Sequence, residues 1–129
     1  MSQKVLLFAG DTAPKRPEMD SIFEKTTDYL NSVDLLFGQL EAVVTDKGAP
    51  ACQARLPLRI YPSAGPCLKK AGFDVMSFAS NHTLDWGFEG YYDTMRIMAE
   101  SGVDIIGAGD NIEEARKPVI KVLDDGTKV

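Results

Sequence analysis

The chain alternates continuous apolar runs with stretches whose apolar residues recur at helical spacing. Continuous runs bounded by turn residues are typical of buried strands. They predict strands at Lys4–Ala9, at "VDLLFGQLE", which ends at Glu41, at "FDVMSFA" and at "VDIIGAG". A fifth strand is predicted at "KPVIKVL", because its proline stands at the start, where a missing N–H is tolerated.

Apolar residues at helical spacing predict helices between these runs. The first helix is predicted over Pro17–Asn31, and a later one follows "LDWG" and ends at Gly102. The segment "SAGPCLKKAG" predicts a short helix with Ser63 as N-cap and Gly72 as its stop. In "DNIEEA", Asp110 stands three residues before a glutamate, which resembles a capping box.

Strands that alternate with helices predict an α/β fold with a mostly parallel sheet and flanking helices. Residues 42–62 mix glycine, proline and polar residues, so we expect an irregular excursion over the surface. "DDG" predicts a hairpin turn, after which only three residues remain. Either the returning strand is very short or the chain is the front part of a longer domain. We expect the second: one incomplete domain over residues 1–129.

Charge and composition exclude several classes of protein. The formal net charge is -5 and no basic run is present, which argues against a general binder of nucleic acids or anionic membranes. An anionic substrate would need a local cation, such as a metal ion. Cys52 and Cys67 lack zinc-site spacing and are read as small apolar residues. No leader or membrane-spanning run is visible, which predicts a cytoplasmic protein, with envelope association only if a leader or anchor is missing.

Polar residues with useful chemistry follow four of the predicted strands. They are Asp11, Glu41, the pair Asn81 and His82, and Asp110. Ligands of open parallel sheets bind at the carboxyl ends of the strands, so these residues are expected on one edge. Two carboxylates, an amide and an imidazole suit a site for a hard metal ion with a proton donor beside it.

Each of these residues also has a structural interpretation. Asp11 is equally suited to capping the turn after its strand, Glu41 to a solvated strand end, and Asn81 to an Asx-turn. His82 is the only histidine, and a single histidine is more often structural than catalytic. Asp85 is expected first to cap the helix that starts near Gly87. Such residues follow four predicted strands at once, and this favours the functional interpretation.

Four segments resemble the N-terminal part of the bacterial capsule-synthesis, poly-γ-glutamate biosynthesis family. They are "FAGD" (8–11), "GQLEAVVTDKGAP" (38–50), "AGFDVMSFASNHTLDWGFEGYYDT" (71–94) and "SGVDIIGAGDNIEEARKP" (101–118). This family is similar in fold to the calcineurin-like metallophosphoesterases. The resemblance therefore implies half of a metallophosphoesterase-like sandwich.

The resemblance also implies roles for individual residues. Asp11 resembles the first metal-binding carboxylate, Glu41 the acidic residue that bridges two metals, and Asn81 the amide ligand. His82 resembles the histidine that contacts phosphate and protonates the leaving group, a role that suits a side chain titrating near neutrality. Asp85 would orient His82 or cap the helix. The implied cofactor is a divalent metal, Mn²⁺ or Mg²⁺.

This chain departs from the pattern in three ways. Ala13 stands where the phosphoesterases have a histidine, and Gln39 where the family usually has asparagine. No histidine follows His82. We therefore expect metal binding to be weak or absent and the chain alone to have little or no turnover.

Three hypotheses about function follow. The first is a metal-dependent phosphoesterase-like hydrolase whose C-terminal metal-binding half is absent; its substrate would be a polar or phosphorylated small molecule or polymer. The second is a non-catalytic binding or assembly component of polymer synthesis or export. The third is a chain that self-associates, because half a domain exposes a sheet edge that promotes homo-oligomers.

Overall fold

Four parallel strands form the central sheet of the computed structural model, which describes residues 3–129. The strands of the chain are β1 (Leu6–Thr12), β2 (Leu35–Leu40), β3 (Val43–Val44), β4 (Arg59–Ile60), β5 (Val75–Ser77) and β6 (Asp104–Ile106). The helices are α1 (Thr27–Leu30), α2 (Ala64–Ala71), α3 (Gly87–Ser101) and α4 (Ile112–Ala115), with a 3₁₀ turn at Met19–Ser21.

The central sheet has the strand order β1-β2-β5-β6, and each neighbouring pair is parallel. The strands β3 and β4 form a separate parallel pair, in which Val43 lies opposite Arg59. The predicted α/β fold with a mostly parallel sheet is therefore confirmed. Because the strands run in one direction, their carboxyl ends meet at one edge, where ligands bind in open α/β sheets.

The helices α2 and α3 cover one face of this sheet. Leu68 of α2 and Met98 of α3 are fully buried against Leu36, Met76 and Phe78 of the sheet and the loop that follows it. Burial of one such side chain is worth about 1.5–3 kcal/mol. Packing of the apolar helix faces therefore holds the two layers together and fixes where the strand ends lie.

Both covering helices end as predicted, at Gly72 and Gly102. These residues have φ angles of 107° and 78°, in the left-handed region that glycine adopts without steric cost. Ser63 is the N-cap of α2, as predicted, but its backbone is in the helical region and its side chain makes no capping hydrogen bond.

The predicted helix over Pro17–Asn31 was wrong. The segment contains only the 3₁₀ turn and the four residues of α1. The hydroxyl groups of Thr26 and Thr27 both donate to the carbonyl of Phe23, at 3.2 and 2.7 Å. Threonine favours such local bonds over a regular helix. The apolar residues of the segment still pack on the core. Their spacing therefore indicated which residues are buried, but it did not indicate a continuous helix.

Two further boundaries differ from the sequence prediction. Strand β1 extends to Thr12 rather than ending at Ala9, and its register shifts between Phe8 and Asp11. The cap of α4 is one residue later than predicted. Asn111, not Asp110, accepts a hydrogen bond from the N–H of Glu114 at 2.9 Å. The excursion at 42–62 is also more regular than expected, because it contains β3 and β4.

The C-terminal segment forms a hairpin but not a fifth strand of the sheet. Lys121 and Val129 exchange two backbone hydrogen bonds of 2.9 Å, and Val122 pairs with Lys128 in an antiparallel bridge. The predicted "DDG" turn is therefore confirmed. The segment lies beside the uncovered face of the sheet, near Phe8 and Phe37, instead of joining the parallel strands. Among residues 3–129, no helix is long and apolar enough to cross a membrane.

Candidate functional site at the carboxyl ends of the strands

The strand ends bring the first two predicted carboxylates to adjacent positions. Asp11 is the second-to-last residue of β1 and lies opposite Gln39 of β2. Glu41 follows β2 directly, and its N–H donates to the carbonyl of Thr12 at 3.1 Å. This backbone hydrogen bond holds the end of β2 against the end of β1.

His82 lies between two carboxylates. Its Nδ1 is 2.6 Å from Oδ2 of Asp85, and its Nε2 is 3.9 Å from Oε1 of Glu41. The same Oδ2 accepts the N–H of Leu58 at 2.7 Å, so this oxygen acts as an acceptor. The proton of the shared bond therefore belongs on Nδ1 of His82, which leaves Nε2 to face Glu41.

Asp85 does not cap α3, contrary to the structural interpretation of this residue. The N-cap is Trp86, and no side chain caps this end of the helix. The carboxylate of Asp85 is instead buried and binds His82 and Leu58. A buried carboxylate with two hydrogen-bond donors is well suited to holding an imidazole in one orientation.

Ser80 joins the ends of β2 and β5, and the sequence analysis did not identify it. Its Oγ donates to Oε2 of Glu41 at 3.0 Å and accepts the N–H of His82 at 3.0 Å. The hydroxyl of Thr83 donates to the carbonyl of Phe78 and tightens the same turn. Ser80 therefore closes a local turn onto the N–H of His82. Its position just before the Asn-His pair was the only signal.

The excursion between β3 and β4 supports the histidine turn. The N–H of Ala51 donates to the carbonyl of Asp85 at 2.8 Å. The guanidinium of Arg59 lies 3.8 Å from the ring centre of Trp86, a cation–π contact. With the bond from Leu58, these contacts pack residues 51–59 against the segment that carries His82. The composition of this segment predicts only a surface loop.

Asp11 and Asn81 do not join this network. Both are exposed and take no part in the hydrogen bonds around His82. Oxygen donors of this kind suit Mn²⁺ or Mg²⁺. However, residues 3–129 contain no group of three or more His, Cys, Asp or Glu side chains arranged to hold a metal ion. The donor types of Asp11, Glu41 and Asn81 fit a hard cation.

An open parallel sheet with polar side chains at its carboxyl edge is the architecture of α/β ligand-binding and enzyme domains. The family model described as "Bacterial capsule synthesis protein PGA_cap" matches residues 5–129. The chain therefore belongs to the bacterial capsule synthesis family, in agreement with the resemblance of its four sequence segments.

Three relatives are similar to this chain over most of its length. The uncharacterised protein y4sH of Sinorhizobium fredii is 36% identical over 98 residues, which cover 72% of this chain and 21% of the relative. The PGA biosynthesis protein CapA of Bacillus subtilis is 31% identical over 101 residues, which cover 78% of this chain and 27% of the relative. The probable polyglutamine synthesis accessory protein MT0602 of Mycobacterium tuberculosis is 30% identical over 89 residues, which cover 69% of this chain and 23% of the relative. The chain thus spans about a quarter of the length of these relatives.

Proposed function

We propose that this chain carries the acid–base part of a metal-dependent phosphoesterase-like hydrolase of capsule or poly-γ-glutamate biosynthesis. The observation that carries the proposal is the row Asp85–His82–Glu41, with contacts of 2.6 and 3.9 Å on the two sides of the imidazole. Names of relatives that refer to capsule and PGA biosynthesis support the biological setting. The substrate class is a polar or phosphorylated small molecule or polymer.

In this proposal His82 is the general acid. Asp85 holds one proton on Nδ1, and the doubly protonated ring carries a second proton on Nε2, which it can give to a leaving oxygen at the strand ends. Glu41 lies on the side of Nε2, with its Oε1 3.9 Å away. Ser80 holds the Glu41 carboxylate in place through its 3.0 Å hydrogen bond.

The candidate metal-binding residues are Asp11, Glu41 and Asn81, and the candidate cation is Mn²⁺ or Mg²⁺. A bound divalent cation would supply charge neutralisation for a phosphoryl oxygen. Calorimetric titration of Mn²⁺ into the chain and into Asp11→Ala tests this part. We expect weak binding heats that fall on substitution. Equal heats for both proteins would contradict the assignment of Asp11.

Hydrolysis is tested with p-nitrophenyl phosphate and bis(p-nitrophenyl) phosphate in the presence of Mn²⁺. We expect little turnover from the chain alone, and that turnover should fall on the order of 10²-fold or more in His82→Gln, because a general acid contributes that much. Lys25→Gln, at an exposed position outside the site, is the matched control and should keep the wild-type rate.

A second candidate function is a non-catalytic binding or assembly component of polymer synthesis or export. The lack of a three-residue metal-binding group within residues 3–129 favours it. Under this alternative the wild-type chain binds Mn²⁺ weakly or not at all and hydrolyses neither phosphate ester. Turnover that is lost in His82→Gln would reject the alternative.

A further inference from the structure

A cleft of about 560 Å³ lies beside the strand-end site, at the carboxyl ends of β5 and β6 and the first turns of α3. We call it the aromatic cleft, and its lining includes Asn81, Phe88, Tyr91, Tyr92 and Asp110. Asn81 borders both the cleft and the histidine turn. A concave surface with several aromatic rings and few polar groups is typical of a small-molecule site.

Two aromatic side chains of α3 present their rings to solvent in this cleft. Phe88 is 67% exposed and Tyr92 51% exposed. Their ring centres are 6.5 Å apart and their planes differ by 29°, so the planes are nearly parallel. We call this pair of exposed rings the platform. Exposed apolar surface of this kind often marks a binding site.

The wall behind the platform is fixed by Tyr91. Its hydroxyl accepts the N–H of Gly109 at 2.7 Å and donates to the Gly109 carbonyl at 3.2 Å. Its ring stacks on Phe78, with centres 5.7 Å apart. These contacts tie α3 to the loop after β6. The cleft is therefore formed in advance, which lowers the entropic cost of binding.

The polar groups of the aromatic cleft do not suit an anion. Asp110 and Asn81 are both exposed there, and no lysine, arginine or histidine is among the described lining residues. The Asp110 carboxylate raises the pKa of Tyr92, which keeps the phenol neutral as a donor. A neutral ligand with hydroxyl groups can donate to Asp110 and accept from the amide of Asn81.

We propose that the aromatic cleft binds a neutral pyranose sugar, whose C–H face packs on Phe88 and Tyr92 while its hydroxyl groups bond to Asp110 and Asn81. An organic cation is the competing occupant, because a cation can lie over one ring face beside the Asp110 carboxylate, and tetramethylammonium tests for it. The inference goes beyond the proposed hydrolase function, because it concerns binding without turnover.

The experiment is an NMR titration of the chain with cellobiose. We expect millimolar binding with shift changes around Phe88 and Asn81. Phe88→Ala should bind about tenfold more weakly, because it removes half of the platform. Tyr29→Ala is the matched control, since Tyr29 is a similarly exposed aromatic residue, 65% exposed, on α1. Asp110→Asn gives a second, polar test and should also weaken binding.

Several results would overturn the proposal. They are no binding at tens of millimolar cellobiose, equal effects of Phe88→Ala and Tyr29→Ala, or tighter binding of tri-γ-glutamate or tetramethylammonium than of cellobiose. His82→Gln should bind cellobiose like the wild type. Loss of hydrolysis without loss of sugar binding would therefore separate this inference from the proposed function.

Discussion

One oxygen of Asp85 receives two hydrogen bonds, and this shared acceptor links the histidine to the excursion between β3 and β4. The donors are Nδ1 of His82 at 2.6 Å and the N–H of Leu58 at 2.7 Å. Leu58 is half-buried, and a backbone N–H that loses its acceptor away from water destabilises the fold. The same side chain is thus expected to matter for stability and for the orientation of His82.

Substitution of Asp85 tests this dual role. Asp85→Ala should lower the free energy of unfolding by about 1–3 kcal/mol, because the N–H of Leu58 is left without a partner. Asp85→Asn keeps an amide oxygen for Leu58 and should lose less. Urea denaturation measures both changes. Glu24→Ala, an exposed substitution, is the control, and an equal effect of Asp85→Ala and Glu24→Ala would contradict the prediction.

Residues of the candidate site differed in how visible they were in the sequence. Glu41, His82 and Asp85 were identified because they follow apolar runs that predict strands. Ser80 was not, because a serine after a strand has no distinctive spacing. Its role depends on the distance from its hydroxyl to Glu41, and the packing of β2 beside β5 sets that distance.

At the scale of elements, Asp93 connects α3 to the segment after β3. Its buried carboxylate accepts hydrogen bonds from Thr45 at 2.7 Å, Lys47 at 2.9 Å and Arg96 at 2.7 Å. Burial raises the pKa of Asp93, but these three donors outweigh it and lower the pKa to about 2, from 3.8. The ionised form is therefore the one that holds the two elements together.

The lowered pKa of Asp93 predicts a loss of stability in acid. Its contribution is fully present above about pH 4 and is lost as the pH falls through about 2, because the unfolded chain binds the proton first. The contribution is roughly 2 kcal/mol. Denaturation at pH 6 and at pH 2.5 should show that Asp93→Asn is less stable than wild type at the higher pH. The difference in free energy of unfolding between the two proteins should become smaller at the lower pH. An equal difference at both pH values would contradict the prediction.

Elements were predictable where the local pattern and the tertiary packing agreed. α3 has a long apolar stripe and a glycine stop, and it forms as expected. Residues 17–31 have a similar spacing of apolar residues but do not form one long helix. There, threonine hydroxyl groups bond to the backbone at Phe23, while the apolar side chains reach the core from an irregular path.

At the scale of the whole molecule, the sheet has one covered and one partly open face. A groove of about 410 Å³ lies on the open side, lined by Phe8, Phe37 and Val75 together with Val119 and Val129 of the C-terminal segment. Phe8 is 68% exposed and belongs to β1, an edge strand. Edge strands with exposed apolar side chains promote association between chains.

We expect the chain to self-associate through this edge. Light scattering over a range of concentrations should show a rise in mean mass for the wild type. Phe8→Asp should lower it, because a charge at the edge opposes pairing. Tyr29→Asp places the same charge at another exposed aromatic position and should leave the mass unchanged. A strictly monomeric wild type would contradict the expectation.

The α/β class, the parallel sheet and the family can be predicted from the amino-acid order, because they depend on local periodicity and on short specific motifs. The positions of Glu41 and His82 at strand ends are predictable for the same reason. That Asp85 holds His82 instead of capping α3, and that Asp11 and Asn81 lie outside this network, follows only from the packed structure. Side-chain partners depend on distances between segments far apart in the chain, and those distances exist only after the layers have packed.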